Sequence, residues 1–301
     1  MFKRILVPLD GSSLAEQALK PALALARRSG GQILLLRIPA FQQAIVPDPA
    51  GQALVWPEID GENSRIEAAD YLRNIQRINP QITMRTLVID GDEASTIIDT
   101  AQEQDVNLIV MSTHGYSGFT RWMLGSVTEK VLRQAPCPVL VVRSANPITK
   151  VVIALDGSLL SEQALDPGLE VAHQLEAEVT LLRVYHGGSL REEERVQLDW
   201  TESGLNQRLH ESVRESVRAY LEQTALHTKR PGQEIDYIVL DGAPAQTILD
   251  YIDVQGTDLV VMATHGRGGL RRWVYGSITE KVMRSANCSM LIIRPPAEDL
   301  A

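Results

Sequence analysis

The stretch LIVMSTHGYSGFTRWMLGSVTEKVLRQAPCPVLVVR, residues 108–143, returns as LVVMATHGRGGLRRWVYGSITEKVMRSANCSMLIIR at residues 259–294. Each reads as an apolar run, a glycine-containing loop, an amphipathic segment and a second apolar run. The two stand 151 residues apart, and 111–143 aligns with 262–294 without a gap, 18 of 33 positions being identical. A repeat of that period is a duplicated domain, too long for a solenoid unit. Further out, ILVPLDGSSLAEQAL (5–19) matches VVIALDGSLLSEQAL (151–165), and LVIDGDEASTIID (87–99) matches YIVLDGAPAQTILD (237–250). The offset grows from 146 to 151, so the second copy carries a net insertion of five residues. The polar stretch SANPITK (144–150) marks the boundary, giving domains 1–146 and 147–301. So short a linker predicts that the two are packed together.

Each copy alternates strands and helices. In the first, FKRILVPL, QILLLRI, TMRTLVI, NLIVMS and PVLVVR read as strands. Helices are predicted from Ser12 to Gly30, from Glu62 to Arg77, over EASTIIDTAQEQ and over SVTEKVLRQA. The second copy repeats the series, with a long helix near 201–227. Near-continuous apolar strands indicate a sheet covered on both faces, and the alternation indicates a parallel, doubly wound α/β fold. Ligands in such folds bind beyond the carboxyl ends of the strands, where the strand order switches. Residues 39–61, with Pro47, Pro49 and Pro57, read as a long loop, either a lid over a ligand or an excursion without structure.

The 301 residues suffice for two cores. Net charge is −9, unevenly divided: 14 Lys and Arg against 15 Asp and Glu in residues 1–146 give −1, and 15 against 23 in residues 147–301 give −8. An acidic chain without a basic stripe speaks against nucleic acid and anionic membrane surfaces as partners. The apolar run before Asp10 is too short for a signal peptide and no stretch is long enough to span a membrane, so a cytoplasmic protein is expected. Cys137 and Cys288, again 151 apart, each precede an apolar strand and read as small buried residues.

The chemistry lies at strand ends. Gly115 is followed by nine residues and then Gly125-Ser126; Gly266 has the same spacing to Gly276-Ser277. Glycine admits close approach of a ligand, and the first amides of a helix lack internal partners and sit at its positive end. Together with a serine hydroxyl these make a phosphate site; the alternative is a helix start after a flexible turn. Asp10 and Asp156 each end the first strand of a copy. Either they accept from a ribose hydroxyl or a base amino group, or the segment caps a helix through Asp10, Ser12 or Ser158. His114 and His265 precede the loop glycines without a second His or Cys close by, which favours a structural role over metal or base. Arg121 and Arg272, each followed by tryptophan (Trp122 and Trp273), can reach a phosphate or stand in solvent. The charge-rich LREEERVQLDW of copy two reads as a solvated face.

Taken together, the strand ending P-x-D-G-S, the strand ending M-x-T-H-G, the nine-residue spacer to G-S and the S-V-T-E-K-V-x-R…P-V-L-V-V-R close resemble the universal stress protein family, once per copy over nearly the whole chain. The resemblance implies two tandem Rossmann-like domains, each a five-stranded parallel sheet of order 3-2-1-4-5 with helices on both faces, joined through their last strands as in the family's usual dimer. It implies an ATP-binding stress or signalling protein with Mg²⁺ accompanying the nucleotide. ATP-binding members carry G-x2-G-x9-G-[ST], which assigns Gly115, Gly125, Ser126 and the Val127 amide to the phosphates, and Gly266, Gly276, Ser277 and Ile278 in copy two. The same resemblance places Pro8 and Asp10, or Ala154 and Asp156, at the adenosine. It places the backbones of Ile38 and Val184 at the adenine, with Met111 and Met262 packed near the base. The chain departs from the motif at its first glycine, where Ser112 and Ala263 stand, and Ala154 replaces the proline of copy one. No Walker lysine and no base poised on water are visible, so at most slow ATP hydrolysis is expected. The expected partners are ATP, further copies of the chain as a dimer of tandem chains, and other proteins. A nucleotide-free interaction module, with degraded loops, is the contrasting reading.

Overall fold

The computed structural model describes residues 2–39, 44–47, 53–56, 61–113, 124–185, 205–264 and 276–294. The first copy runs β1 (Arg4–Pro8), a 3₁₀ turn (Ala15–Ala18), α1 (Leu19–Ser29), β2 (Gln32–Arg37), β3 (Ala44–Pro47), β4 (Ala53–Trp56), α2 (Gly61–Ile78), β5 (Met84–Val88), α3 (Glu93–Glu103), β6 (Leu108–Ser112), α4 (Ser126–Gln134) and β7 (Val139–Val142). The second runs β8 (Lys150–Ala154), α5 (Leu159–Glu162), α6 (Leu165–Leu175), β9 (Glu178–Tyr185), α7 (Leu205–Thr228), β10 (Ile235–Asp241), α8 (Pro244–Gln255), β11 (Leu259–Ala263), α9 (Ser277–Ser285) and β12 (Ser289–Ile293).

Ten strands form one sheet, in the order β10-β9-β8-β11-β12-β7-β6-β1-β2-β5. Every neighbouring pair is parallel except β12 and β7, which run antiparallel at the centre. The last strands of the two copies therefore join them into one continuous sheet. The register there is Met290 on Val141, Leu291 on Leu140 and Ile292 on Val139. Leu140 and Leu291 occupy the same place in the repeat, so a pseudo-twofold axis passes through that pair.

The strands are apolar throughout because both sheet faces are covered. In β2, Ile33 and Leu35 join the core on one face while Leu34 and Leu36 join the core on the other. All four are buried, each contributing roughly 1.5–3 kcal/mol. One face carries α1, α2, α6 and α7, with α1 packed on α6 across the two copies; the other carries α3 on α4 and α8 on α9.

Two differences from the sequence reading concern copy one. The helix expected from Ser12 opens instead as the 3₁₀ turn, after the Ser12 hydroxyl accepts from the Ala15 amide at 3.1 Å. Within 39–61, expected to be a loop, β3 and β4 pair as an antiparallel hairpin, Ile45 opposite Val55 and Val46 opposite Leu54. Among the described residues no helix is long and apolar enough to cross a membrane. Cys137 and Cys288 are free thiols, Cys288 buried and Cys137 half-buried.

Candidate functional site

In copy one the chain leaves β1 for β2 on one side and returns from β5 to β6 on the other. The order switches between β1 and β6, the place beyond whose carboxyl ends folds of this class bind ligands. Asp10 stands past the end of β1, Ser112 ends β6, and Ile38 follows β2. The Leu9 amide extends the sheet by donating to the Leu36 carbonyl at 2.8 Å. The Ser12 amide donates to Asp10 Oδ1 at 2.9 Å, closing a tight turn around Gly11 that holds the carboxylate at the strand end.

The loop after β6 is pinned at both ends. The Gly125 amide donates to the Thr113 carbonyl at 2.9 Å, and the Thr128 hydroxyl to the Ser112 carbonyl at 3.1 Å. The start of α4 is thereby fastened to the end of β6. Its N-cap is Gly125, which supplies no side-chain cap, and Ser126 is exposed. Two other helices are capped: Asp92 accepts from Ser95 for α3, and Ser158 from Ser161 for α5. The amides opening α4 are thus left by their own cap residue to another acceptor, and the macrodipole favours an anion there.

Copy two repeats the arrangement. The Ser158 amide and hydroxyl donate to Asp156 Oδ1 at 2.9 and 2.6 Å. The Gly276 amide donates to the Thr264 carbonyl at 2.8 Å and the Thr279 hydroxyl to the Ala263 carbonyl at 3.0 Å. Gly276 caps α9 without a side chain, and Ser277 and Ile278 are exposed. Of the two readings of the aspartate segment, the structure shows the capping one in copy two: Ser158 caps α5, while Asp156 holds the turn before it.

The apolar positions converge on one core face. Met111 and Met262 lie within it, and Ile38, Val127 and Val184 pack against it half-buried. Pro8 is half-buried and Ala154 buried. Gly115 and Gly266 lie outside the described residues, as do His114, His265, Arg121, Trp122, Arg272 and Trp273. Among the described residues no group of three or more His, Cys, Asp or Glu side chains could hold a metal ion.

The profile of the Universal stress protein family matches residues 1–143 and again residues 147–294. The chain belongs to that family. A universal stress protein of Mycolicibacterium smegmatis is 25% identical over 302 residues, covering 97% of both chains. Universal stress protein YxiE of Bacillus subtilis is 33% identical over 150 residues, 48% of this chain and the whole of that one. Among solved structures, a universal stress protein of Archaeoglobus fulgidus superposes with a TM-score of 0.66 at 20% identity over 98% of this chain and 99% of that one, a likeness of fold.

Beneath each aspartate turn of this family member lies a layer the sequence reading missed. The Arg37 guanidinium stands 5.9 Å from the Tyr71 ring centre and Arg183 stands 4.7 Å from that of Tyr220. The tyrosine hydroxyls donate to Glu16 Oε1 at 2.9 Å and Glu162 Oε1 at 2.8 Å. Burial first, and then these carboxylates, hold both hydroxyls well above the ordinary phenol range. The signal was the repeat itself: LLLRI and LLRV carry the same arginine, AEQAL and SEQAL the same glutamate.

Proposed function

We propose that this universal stress protein binds ATP, with Mg²⁺, at two pseudo-symmetric sites, one at the carboxyl edge of each half of the sheet. The observation that carries the reading is the pair of helix starts, Gly125-Ser126 and Gly276-Ser277, that lack a side-chain cap and are pinned to strand ends beside the switch point. The glycine caps leave room for a phosphate, and the exposed serines add a hydroxyl each. In this reading the phosphates rest on the amides of Ser126 and Val127, or Ser277 and Ile278, as anions do at helix N-termini. Asp10 and Asp156 accept from the ribose. The backbones at Ile38 and Val184 meet the adenine, and Met111 and Met262 close the apolar side. Gly115 and Gly266 complete the loops over the phosphates. Ser112 and Ala263 replace a motif glycine where the contact is made through backbone, which a small side chain tolerates. Mg²⁺ bound to the nucleotide would supply positive charge between its phosphates, held by phosphate oxygens and water.

Occupancy of the two sites would report cellular energy state to protein partners in a stress response, with hydrolysis slow at most. The test is to denature freshly purified protein and quantify released small molecules by ion-pair chromatography with mass detection. About two adenine nucleotides per chain is the expected result; a ratio near one would confine binding to one copy. No nucleotide, and no uptake on adding Mg·ATP, would overturn the reading in favour of an interaction module. Multiple-turnover phosphate release would make the chain a hydrolase.

A further inference from the structure

The arginine layer under the two aspartate turns does more than fill space. Gly11 and Gly157 both sit at φ +81°, and a Cβ would stand 3.4 Å from Arg37 Nη2 at the first and 2.5 Å from Arg183 Nη1 at the second. Each guanidinium therefore lies directly against the turn's glycine, with a tyrosine ring on hand to receive the cation. In copy one Arg37 Nη1 also donates to the Leu9 carbonyl at 3.2 Å, one residue before the aspartate. The ring beneath is tied by its hydroxyl to Glu16 or Glu162 within the first helical segment of each copy. Glycine, arginine and glutamate recur at an offset of 146, and the tyrosines at 149 because part of the insertion lies between them.

A packing role alone does not call for a guanidinium. An apolar side chain would cover the same glycine and ring without taking a charge partly out of water. What arginine adds is a flat fork of donors for the turn's carbonyl and a fixed positive charge near the turn's carboxylate. The charges of Arg37 and Asp10 both act on the Tyr71 hydroxyl, in opposite senses. Both contributions bear on where the aspartate carboxylate is held.

We infer that Arg37 and Arg183 are positioning residues for sugar selectivity: they hold the Leu-Asp-Gly turns so that Asp10 and Asp156 meet the ribose 2′-hydroxyl. The inference rests on the nucleotide reading above and deepens it. The experiment is equilibrium binding of ATP and of 2′-deoxy-ATP, with Mg²⁺, to the nucleotide-free full-length chain. It compares the natural protein with the pairs Arg37→Met/Arg183→Met and Arg37→Lys/Arg183→Lys, each checked for an unchanged far-ultraviolet spectrum.

Loss of one hydrogen bond to a carboxylate is worth about tenfold or more in affinity, so the natural protein is expected to prefer ATP by about that factor. In the methionine pair both nucleotides still bind through the helix amides, and the preference falls to within about twofold. The lysine pair keeps the charge without the fork and lies between. If methionine weakens both nucleotides equally and leaves the ratio intact, the arginines are structural and the proposal is overturned. A natural protein that binds both nucleotides equally overturns it too. Should the methionine pair not fold, the lysine pair decides, an undiminished preference being the overturning result. A natural protein that binds neither nucleotide fails at the earlier step and removes the nucleotide reading itself.

Discussion

At the scale of single residues the two cysteines give the cleanest pH dependence. Cys137 and Cys288 sit at matching ends of apolar strands, and burial pushes both thiols up to about 12. In the unfolded chain a thiol titrates near about 8.5. Above that pH the unfolded state releases protons that the native state keeps. Stability from these groups is therefore complete below about 8.5 and falls as pH rises towards 12, by roughly 1 kcal/mol per pH unit for each thiol. Urea midpoints measured from pH 7 to 9.5 should decline more steeply in the natural protein than in Cys137→Ala/Cys288→Ala; parallel declines would show that the thiols titrate normally in the fold. The same two residues show what was legible in the sequence. Their apolar neighbours announced burial. Asp10, Asp156 and the glycine-serine pairs announced themselves by recurring at strand ends. Arg37 recurs as Arg183 too, but its partner Tyr71 lies 34 residues further on, and no local pattern records which helix residue a strand-end arginine will meet.

Elements were most legible where burial on both faces forces an unbroken apolar run, as in β2 and β6, and where a helix has one clear apolar stripe. The β3–β4 hairpin was hidden because its strands are four residues each, one of them ending in Pro47, and its prolines read as loop. The starts of α4 and α9 follow from sequence only as alternatives, phosphate site or ordinary helix start, and the structure sharpens the choice into a test. Gly276 lies in extended backbone at φ −54° and ψ 139°, and a Cβ there would meet the Thr264 carbonyl at an ordinary 3.4 Å. Gly276→Asp thus meets no clash among the described residues, and an aspartate at the N-cap accepts from the opening amides, adding roughly a few tenths of a kcal/mol to the helix. The same carboxylate occupies the place of a phosphate and repels it. The expected outcome is a thermal midpoint that holds or rises while nucleotide released per chain drops from about two to about one. A variant that retains both nucleotides would show that the start of α9 does not carry phosphate.

Across the whole molecule the duplication becomes architecture at one seam. Because Leu140 pairs with Leu291, the β7–β12 contact is isologous: the same surface of the repeat meets itself. Arg143 ties the seam from the side. Its backbone amide donates to the Ser289 hydroxyl at 3.3 Å, and its guanidinium donates to the carbonyls of Met283 and Ala286 at the end of α9 in the other half. Burial lowers its pKa, and its Nε is buried without a hydrogen-bond partner, so the side chain is held at a cost in desolvation. Two opposing effects decide what its loss does. Arg143→Met recovers that desolvation and keeps the apolar stem, but strands two carbonyls at about 1–3 kcal/mol each. The second effect is the larger, and a net loss of about 2 kcal/mol is expected in urea unfolding. The strand pairing and the α1–α6 contact remain, so the variant should still unfold in one transition, with fluorescence and circular dichroism midpoints coinciding. Two separated transitions would mean that Arg143, and not the shared sheet, makes the two halves a single cooperative unit. An unchanged midpoint would mean that the carbonyls at the end of α9 find other donors, and that the seam rests on β7 and β12 alone.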